Sequence, residues 1–264
     1  MEIPTAQLNQ IRAKADSGNP ESQFLLSQIC LQQGDVEGMV HWLQEASASG
    51  VPDAVTALGH CHERGMGIER DFDTALDLYA EAIQKGSIPA GYRRAELLYK
   101  SRQGPGMCDD IHALLSGAAT AGFEPARRTL AYLASQAGLP AGSLPAATDL
   151  YPVPRNLERQ ELSSDLPVAL YNGVLDAGEC AYLVALSRPY LRHSDVIDPA
   201  SQRDGMVSDV RTSSGTYLPF ELVDIVARYI ELKIVQAAGE NLERSEPMSI
   251  LCYQPGEYYQ PHYD

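Results

Sequence analysis

A repeat of small residues constrains the first half of this chain more than any other feature. Three glycines follow one another at intervals of 36 residues, and each has an alanine four positions before it and another four positions after it. The glycines are Gly50, Gly86 and Gly122, and the alanines are Ala46, Ala82, Ala118, Ala54, Ala90 and Ala126. Small residues at matched positions let neighbouring helices approach closely, and self-similarity at this period is typical of helical solenoids. The first half is therefore predicted to be an array of packed helices.

Each repeat unit is predicted to be two helices separated by a loop. Apolar residues follow an i, i+3, i+4, i+7 pattern from Ala54 to Cys61 within 52–64, and a second such pattern lies within 71–85. Gly86 follows the second helix, where a glycine commonly ends a helix. The same layout predicts further helices at 21–33, 36–49, 88–101, 108–121 and 124–137.

The best repeat unit resembles a Sel1-like repeat, a relative of the tetratricopeptide repeat. The matching residues are Leu58, Gly59, Gly65, Gly67, Asp71, Ala75, Tyr79, Ala82 and Gly86. The resemblance covers roughly residues 5–138, and we assign 1–138 to a Sel1-like helical repeat domain. It implies a concave helical surface that contacts a protein partner, although a scaffold without a ligand of its own remains the alternative.

A connector is predicted after the repeats. Residues 139–156 contain Pro140, Pro145, Pro152 and Pro154 with few periodic apolar positions. Prolines without apolar periodicity are typical of loops and linkers. The second domain is therefore predicted to span 157–264.

Composition excludes some classes of partner and suggests a compartment. The chain has 264 residues, is 44% hydrophobic and carries a formal net charge of −15. Nucleic acids and anionic membranes attract positive charge, so we expect neither as a partner. The cysteines are odd in number and scattered, and the N-terminus lacks the pattern of a signal peptide, which favours free thiols and a cytoplasmic location. The cysteines are Cys30, Cys61, Cys108, Cys180 and Cys252.

Helices alternate with strands in the second half. A short apolar run at 168–171 is typical of a strand. Asp176 and Glu179 have the spacing of a capping box, which predicts a helix that continues to Pro189. A second helix is predicted from about 219 to 238, because a proline suits its first turn and a glycine follows its end.

The last segment carries the chemistry. Beyond Pro247 we predict a strand with both faces largely covered, then a turn at 255–256 and a strand from Tyr258 to Asp264. In that last strand, His262 and Asp264 lie two positions apart, so their side chains leave the same face. One imidazole and one carboxylate are two of the three ligands in the facial triad that holds non-haem Fe(II).

This half resembles the first part of the catalytic domain of the prolyl 4-hydroxylases, a family of 2-oxoglutarate- and Fe(II)-dependent oxygenases. The resemblance covers about residues 166–264 and rests on four segments in order, at 174–180, 189–196, 211–218 and 253–264. It implies an α+β domain that begins a double-stranded β-helix (jelly-roll) and stops at the metal strand. The implied reaction is hydroxylation of a C–H bond, with ascorbate as an additional cofactor.

The resemblance also implies roles for individual residues. His262 and Asp264 would bind Fe(II), and the Tyr253 hydroxyl would reach 2-oxoglutarate unless that ring only packs in the sheet. Tyr259 would line the pocket near the metal or the substrate, or pack. Arg211 would contact the substrate or, as we favour, brace its loop.

Parts of the family's site are absent from the sequence. The distal histidine and the Lys or Arg that pairs with 2-oxoglutarate follow the His-x-Asp motif in the family, so we expect the 264 residues to be a fragment that is inactive alone. The substrate is predicted to be a prolyl peptide, a protein or a small molecule. The alternative function is a Sel1-like interaction scaffold joined to an inactive oxygenase remnant.

Overall fold

A computed structural model gives the conformation of most of the chain. It describes residues 5–101, 107–140, 142–150, 152, 157, 159–163, 165, 168–194, 196–198, 203–206, 211–218, 223–240, 242 and 245–260. The chain divides into two compact units, Met1–Leu150 and Tyr151–Asp264. None of the helices within the described residues combines the length and the apolar character needed to cross a membrane.

The first unit is a succession of antiparallel helices, each packed on the next along the chain. They are α1 (Thr5–Asp16), α2 (Pro20–Gln32), α3 (Val36–Ala48), α4 (Pro52–Arg64), α5 (Phe72–Gln84), α6 (Ile88–Ser101), α7 (Cys108–Thr120) and α8 (Glu124–Gln136). This confirms the predicted helical array. The additional helix α1 was not predicted: Gly18 follows it with a φ of 87°, but this glycine lies 32 residues before Gly50 and lacks the alanines four positions before and after it.

The 36-residue period reflects how the second helix of each repeat ends. Gly50, Gly86 and Gly122 have φ angles of 81°, 93° and 91°, which L-residues with a side chain rarely adopt. At Gly86, the glycine N–H donates to the Ile83 carbonyl, and the Ser87 N–H donates to the Ala82 carbonyl. This is the Schellman pattern, which satisfies carbonyls that the helix end would leave unpaired.

Close packing within a repeat explains why the motif has a glycine at position 59. A Cβ added at Gly59 would lie 2.9 Å from the Tyr79 ring, so only glycine lets α4 and α5 approach this closely here. The core that results is aliphatic, and burying one such side chain contributes about 1.5–3 kcal/mol. Its largest fully buried aliphatic side chains include Leu26, Leu97, Ile111, Leu115 and Leu133.

A buried ion pair joins three helices of the first unit. Lys100 Nζ on α6 donates to Glu63 Oε1 on α4 at 3.1 Å, and Tyr79 on α5 donates its hydroxyl to Glu63 Oε2 at 2.7 Å. Burial alone would raise the pKa of Glu63, but the Lys100 ammonium and the Tyr79 hydroxyl hold it below its ordinary value. One turn earlier on α4, burial and then the charge of Arg93 lower the pKa of His60 to about 4.

Part of the predicted connector packs against the helices instead of running free. Residues 147–150 form a 3₁₀ turn, and Leu150 is fully buried. The Tyr99 hydroxyl donates to the Leu150 carbonyl at 2.6 Å, and His112 Nε2 lies 2.7 Å from the Pro145 carbonyl oxygen. The compact helical unit therefore extends past residue 138 to Leu150. The buried Leu150 side chain and the two carbonyl groups hold this segment against α6 and α7.

Where the structure describes it, the second unit contains short strands and two α-helices. Its elements are β1 (Arg159–Glu161), β2 (Ala169–Tyr171), α9 (Ala177–Ser187), a 3₁₀ turn (Arg188–Tyr190), β3 (Arg192–His193), β4 (Val196–Asp198), β5 (Arg203–Met206), β6 (Ser214–Tyr217), α10 (Ile225–Ala238) and β7 (Ser249–Cys252). The strands pair antiparallel as β1-β2, β3-β6-β7 and β4-β5. A helical first part followed by an α+β second part is thus confirmed.

The helix α9 begins as predicted, whereas α10 begins later. Asp176 and Glu179 exchange side-chain and backbone hydrogen bonds in a capping box. The start of α10 near residue 219 was wrong: Val223 and Asp224 are not helical, and the Asp224 carboxylate accepts from the Ala227 N–H at 2.8 Å. A carboxylate at the N-cap accepts a hydrogen bond from a backbone N–H of the first turn, which a proline side chain cannot do. The helix therefore begins at Ile225, directly after Asp224.

A second buried ion pair joins the two helices of this unit. Lys233 Nζ on α10 lies 2.6 and 2.7 Å from the two carboxylate oxygens of Glu179 on α9. The side chain of Glu179 is fully buried, and the same carboxylate caps the helix by accepting from the Asp176 N–H. Tyr182 adds a hydrogen bond from its hydroxyl to Asp224. These contacts hold α9 and α10 together.

Candidate functional site

Three of the predicted site residues, Arg211, Tyr253 and Tyr259, lie next to the three-stranded sheet β3-β6-β7. Ser214, Gly215, Thr216 and Tyr217 of β6 pair with β7, and the other edge of β6 pairs with β3. Arg211 and Thr212 lie two to three residues before β6, and Tyr253 follows β7 directly. Strand pairing therefore brings the segment at 211–218 beside the described part of the segment at 253–264, which ends at Gln260.

The strand β7 differs from its prediction on one face. Its residues alternate between exposed and half-buried, and Leu251 is 47% exposed. The prediction that both faces are largely covered was therefore wrong among the described residues. Ile250 and Cys252 supply the more buried face, which is the pattern of a sheet packed on one side only.

Arg211 is held by contacts on both sides of its guanidinium group. Its Nε donates to Ser213 Oγ at 3.1 Å, and its guanidinium carbon lies 4.7 Å from the centre of the Tyr259 ring. Ser213 is fully buried and donates to Ser194 Oγ at 3.2 Å. A cation over an aromatic face contributes about 0.5–2 kcal/mol, according to how far it is desolvated. The hydrogen bonds through Ser213 therefore hold Arg211 in place against the Tyr259 ring.

The backbone on both sides of this pair is also tied. Arg211 and Tyr259 form an antiparallel bridge, and the Thr212 N–H donates to the Tyr258 carbonyl at 3.0 Å. The Tyr258 N–H returns a hydrogen bond to Thr212 Oγ1 at 2.8 Å. The chain reaches Tyr259 through a turn at residues 255–256, as predicted, where Gly256 has a φ of 93°.

The other site residues divide between described and undescribed parts of the chain. Tyr253 lies at the end of β7 and is 44% exposed. His262 and Asp264 lie outside the residues that the structure describes, and so does the rest of their predicted strand after Gln260. Within the described ranges, no group of three or more His, Cys, Asp or Glu side chains is arranged to hold a metal ion.

The donor chemistry of the last segment fits the implied metal. An imidazole and a carboxylate are two of the three protein ligands typical of non-haem Fe(II) sites. The pair Arg211–Tyr259 ends three residues before His262, so its bridge supports the backbone that leads to the predicted ligands. The histidine nearest in the described sheet, His193, has Nδ1 3.1 Å from the Ser194 carbonyl oxygen and is exposed.

Sequence reasoning missed two supporting residues, Ser194 and Thr212. The spacing of Arg211 and Ser213, two positions apart, was the available signal for a local contact. Ser194 joins them only because β3 pairs with β6, and Thr212 reaches Tyr258 across 46 residues of sequence. Neither contact has a local signature in the sequence.

Comparison with known proteins finds relatives for part of the chain. No family model matches it. It is 34% identical over 110 residues to "Prolyl 4-hydroxylase 1" of Arabidopsis thaliana, covering 41% of this chain and 38% of that protein. It is 37% identical over 98 residues to "Probable prolyl 4-hydroxylase 10" of the same plant, covering 36% of this chain and 32% of that protein. The chain thus spans about a third to two fifths of the length of these relatives.

Solved structures provide a second comparison. A Sel1 repeat protein from Oxalobacter formigenes is 26% identical, with 46% of this chain and 94% of that chain covered and a TM-score of 0.40. The antigen c5321 of uropathogenic Escherichia coli, which displays an SLR fold, is 18% identical, with 55% and 39% covered and a TM-score of 0.36. The sequence resemblance to prolyl 4-hydroxylases is confirmed over part of the chain, and the neighbours found by structure are Sel1-repeat proteins.

Proposed function

We propose that the second half of this chain belongs to an Fe(II)- and 2-oxoglutarate-dependent dioxygenase that hydroxylates a C–H bond of a prolyl residue or a related substrate. The observation that carries the proposal is the identity of 34% over 110 residues to a prolyl 4-hydroxylase, together with the ordered segments that end in His262-x-Asp264. The prolyl substrate is taken from the names of these relatives, and the reaction class from the His-x-Asp motif.

His262 and Asp264 are the proposed Fe(II) ligands, with a further histidine supplied by sequence that these 264 residues do not contain. When bound, Fe(II) and 2-oxoglutarate supply the oxidising chemistry of C–H hydroxylation, and ascorbate maintains the reduced metal. His262 must bind through a neutral imidazole and Asp264 as a carboxylate, so metal affinity should fall in acid.

The other residues would orient and enclose the reactants. The Tyr253 hydroxyl would donate a hydrogen bond to 2-oxoglutarate. Tyr259 would line the pocket, and Arg211 would hold that ring in place through the contacts already described. A substrate contact by Arg211 would use the guanidinium donors that Ser213 leaves free. A cytoplasmic location is proposed from five cysteines that are all free thiols in the structure.

The test is turnover of 2-oxoglutarate by the full-length gene product. We expect succinate to form with Fe(II), ascorbate and a prolyl peptide, and to fall to background in His262→Ala. Asp165→Ala is the matched control, because it removes an exposed carboxylate of the same unit from outside the motif. Background succinate across prolyl peptides and free amino acids would count against the proposal.

The second candidate function is a protein-interaction scaffold that carries an inactive oxygenase remnant. The helical array, which makes up more than half of the chain, favours it. Reading the coding DNA beyond codon 264 separates the two candidates. An open frame with a further histidine and a Lys or Arg favours the enzyme, and an immediate stop codon favours the scaffold.

A further inference from the structure

An open groove runs across the second half of the helical array. It has a volume of about 960 Å³ and is lined by residues of α5, α6 and α7. Each helix contributes a leucine to an apolar floor: Leu76 from α5, Leu98 from α6 and Leu114 from α7. At one end, Ile88 is 42% exposed. The floor thus offers space for apolar side chains of a ligand.

The rim of the groove is acidic. Asp73 and Asp77 lie one turn apart on α5, and Asp110 lies on α7; all three line the groove and are exposed. The whole chain carries a net charge of −15, so a second copy of it would be repelled from this rim. The charge complement is a ligand with Lys or Arg side chains flanking its apolar ones.

The groove also contains an unused hydrogen-bond donor. Arg94 on α6 lines it, and its Nε is buried without an acceptor among the described residues. A buried donor without an acceptor is unfavourable, and a ligand oxygen would satisfy it. A peptide in extended conformation has its main-chain carbonyls free, whereas a helical ligand uses nearly all of them internally. Arg94 therefore favours an extended main chain as the ligand.

One wall of the groove permits a close approach of that main chain. Ala113 and Gly117 of α7 and Ala121 at its C-cap follow one another at intervals of four residues, line the groove and are exposed. A Cβ at Gly117 would meet nothing within 4 Å. The volume beside this wall is therefore open to a ligand backbone.

We propose that this groove binds an extended basic peptide segment of a partner protein. Its apolar side chains rest on the leucine floor, and its Lys or Arg side chains meet Asp73, Asp77 and Asp110. One of its main-chain carbonyls accepts from Arg94. The proposal is independent of the oxygenase chemistry, because every residue that carries it lies in the helical unit.

The probe is a capped, fluorescein-labelled peptide of repeated Lys-Pro-Leu units, measured by fluorescence anisotropy with the full chain. Proline keeps the peptide extended with its carbonyls free. The control peptide has Glu in place of Lys. We expect saturable binding of the Lys peptide, weakening as salt is added, and no binding of the Glu peptide.

Two neighbouring carboxylates provide a matched pair of variants. Asp109 and Asp110 both lie in the first turn of α7 and both are exposed, but only Asp110 lines the groove. Asp110→Lys should weaken binding by at least about tenfold, and Asp109→Lys by no more than about twofold. Equal losses would mean that the peptide responds to the overall charge, which overturns the proposal.

A groove-filling variant tests the site by shape. Gly117→Phe places a ring in open space, and replacing a helical glycine should not lower the thermal unfolding midpoint. It should abolish binding, whereas Thr120→Phe, exposed on α7 but not lining the groove, should leave binding unchanged. Unchanged binding in Gly117→Phe overturns the proposal. So does conversion of a dimer to a monomer by Gly117→Phe, because the occupant would then be a second copy.

Discussion

The two units of this chain each contain a buried Lys–Glu ion pair, but they differ in how their helices and strands pack. Each buries a Lys–Glu pair between helices, Glu63–Lys100 in the first and Glu179–Lys233 in the second. Around the first pair, every helix packs on its neighbour in sequence. Around the second, short strands join segments far apart, such as Thr212 and Tyr258. We therefore expect the first unit to be the more stable of the two.

Side-chain exposure shows the same contrast. Cys30, Cys61 and Cys108 of the helical unit are buried, whereas Cys180 is exposed and Cys252 is half-buried in the second unit. The second unit also carries large apolar side chains on its surface, including Val168, Leu170, Val184, Tyr217, Leu251, Tyr253 and Tyr258. The helical unit exposes fewer such side chains among the described residues, namely Leu25, Leu31, Ile88, Leu139 and Leu144.

Thiol labelling gives the largest expected difference between the units. Burial raises the pKa of Cys61 to about 11, and burial also raises the pKa values of Cys30 and Cys108. These thiols should react on the order of a thousandfold more slowly than Cys180, because they must wait for the helices to open. Mass spectrometry after a pulse of a thiol reagent measures this. Comparable rates for Cys61 and Cys180 would contradict the contrast.

The next largest effect concerns the buried ion pairs. Lys100→Met leaves Glu63 buried without its cation and should lower the unfolding free energy of the helical unit by about 3–5 kcal/mol. Lys233→Met should cause a loss of similar size that appears only in the second unit. Chemical denaturation followed by amide hydrogen exchange in each unit measures both.

The double variant Glu63→Gln/Lys100→Met is the control for that experiment. It removes the uncompensated charge and should recover most of the lost stability, because Gln can still accept from the Tyr79 hydroxyl. A double variant no more stable than Lys100→Met would mean that lost packing, not the bare charge, explains the effect.

Acid should weaken the helical unit through His60. Its pKa in the folded chain is about 4, against an ordinary value of 6.5, so the unfolded chain binds the proton more readily between these values. Unfolding is therefore favoured as pH falls through this window, by on the order of 2 kcal/mol. Glu63, whose pKa is lowered, adds to this loss at the acidic end, because its contribution is present above the unfolded pKa and disappears as pH falls through the folded one.

Urea unfolding of the full chain across that window measures the slope, with His60→Gln as the comparison. The variant does not titrate there, so its unfolding free energy should stay level until the carboxylates begin to protonate. Parallel curves for His60→Gln and the parent would show that another group causes the slope.

The smallest effect tests the brace at the candidate site. Arg211→Lys loses the planar group that stacks on Tyr259 and bonds Ser213, and should weaken local closure by about 1 kcal/mol. The Thr212 and Tyr258 amides should then exchange about fivefold faster, whereas Arg192→Lys on the exposed β3 should leave them unchanged. Unchanged exchange in Arg211→Lys would favour the alternative in which this arginine only contacts substrate.

The sequence predicts most of the helical unit because its determinants are local. The glycine at each helix end and the Gly59–Tyr79 contact depend on residues within one repeat, so their spacing is visible in the sequence. The helix α1 was missed because it has no such spacing. The packing of residues 145–150 was missed because it depends on carbonyl partners for Tyr99 and His112 in a proline-containing segment.

The second unit is harder to predict, because its contacts depend on strand register. The capping box at Asp176 was found, since its two partners lie three residues apart. The start of α10 was placed too early because Pro219 is a plausible first-turn residue, whereas the deciding contact is the Asp224 cap. That Arg211 meets Tyr259 requires knowing which strands pair, which no spacing in the sequence reveals.

The central claim is that His262 and Asp264 hold Fe(II), and anaerobic equilibrium dialysis of Fe(II) against the full-length gene product with 2-oxoglutarate tests it most directly. Even groups that only support a metal ligand are worth about 10–100-fold in affinity. Asp264→Ala should therefore weaken Fe(II) binding by at least about a hundredfold. Asp165→Ala should bind as the parent does. Equal Fe(II) binding by the parent and Asp264→Ala would contradict the claim and leave the helical array as the functional part of the molecule.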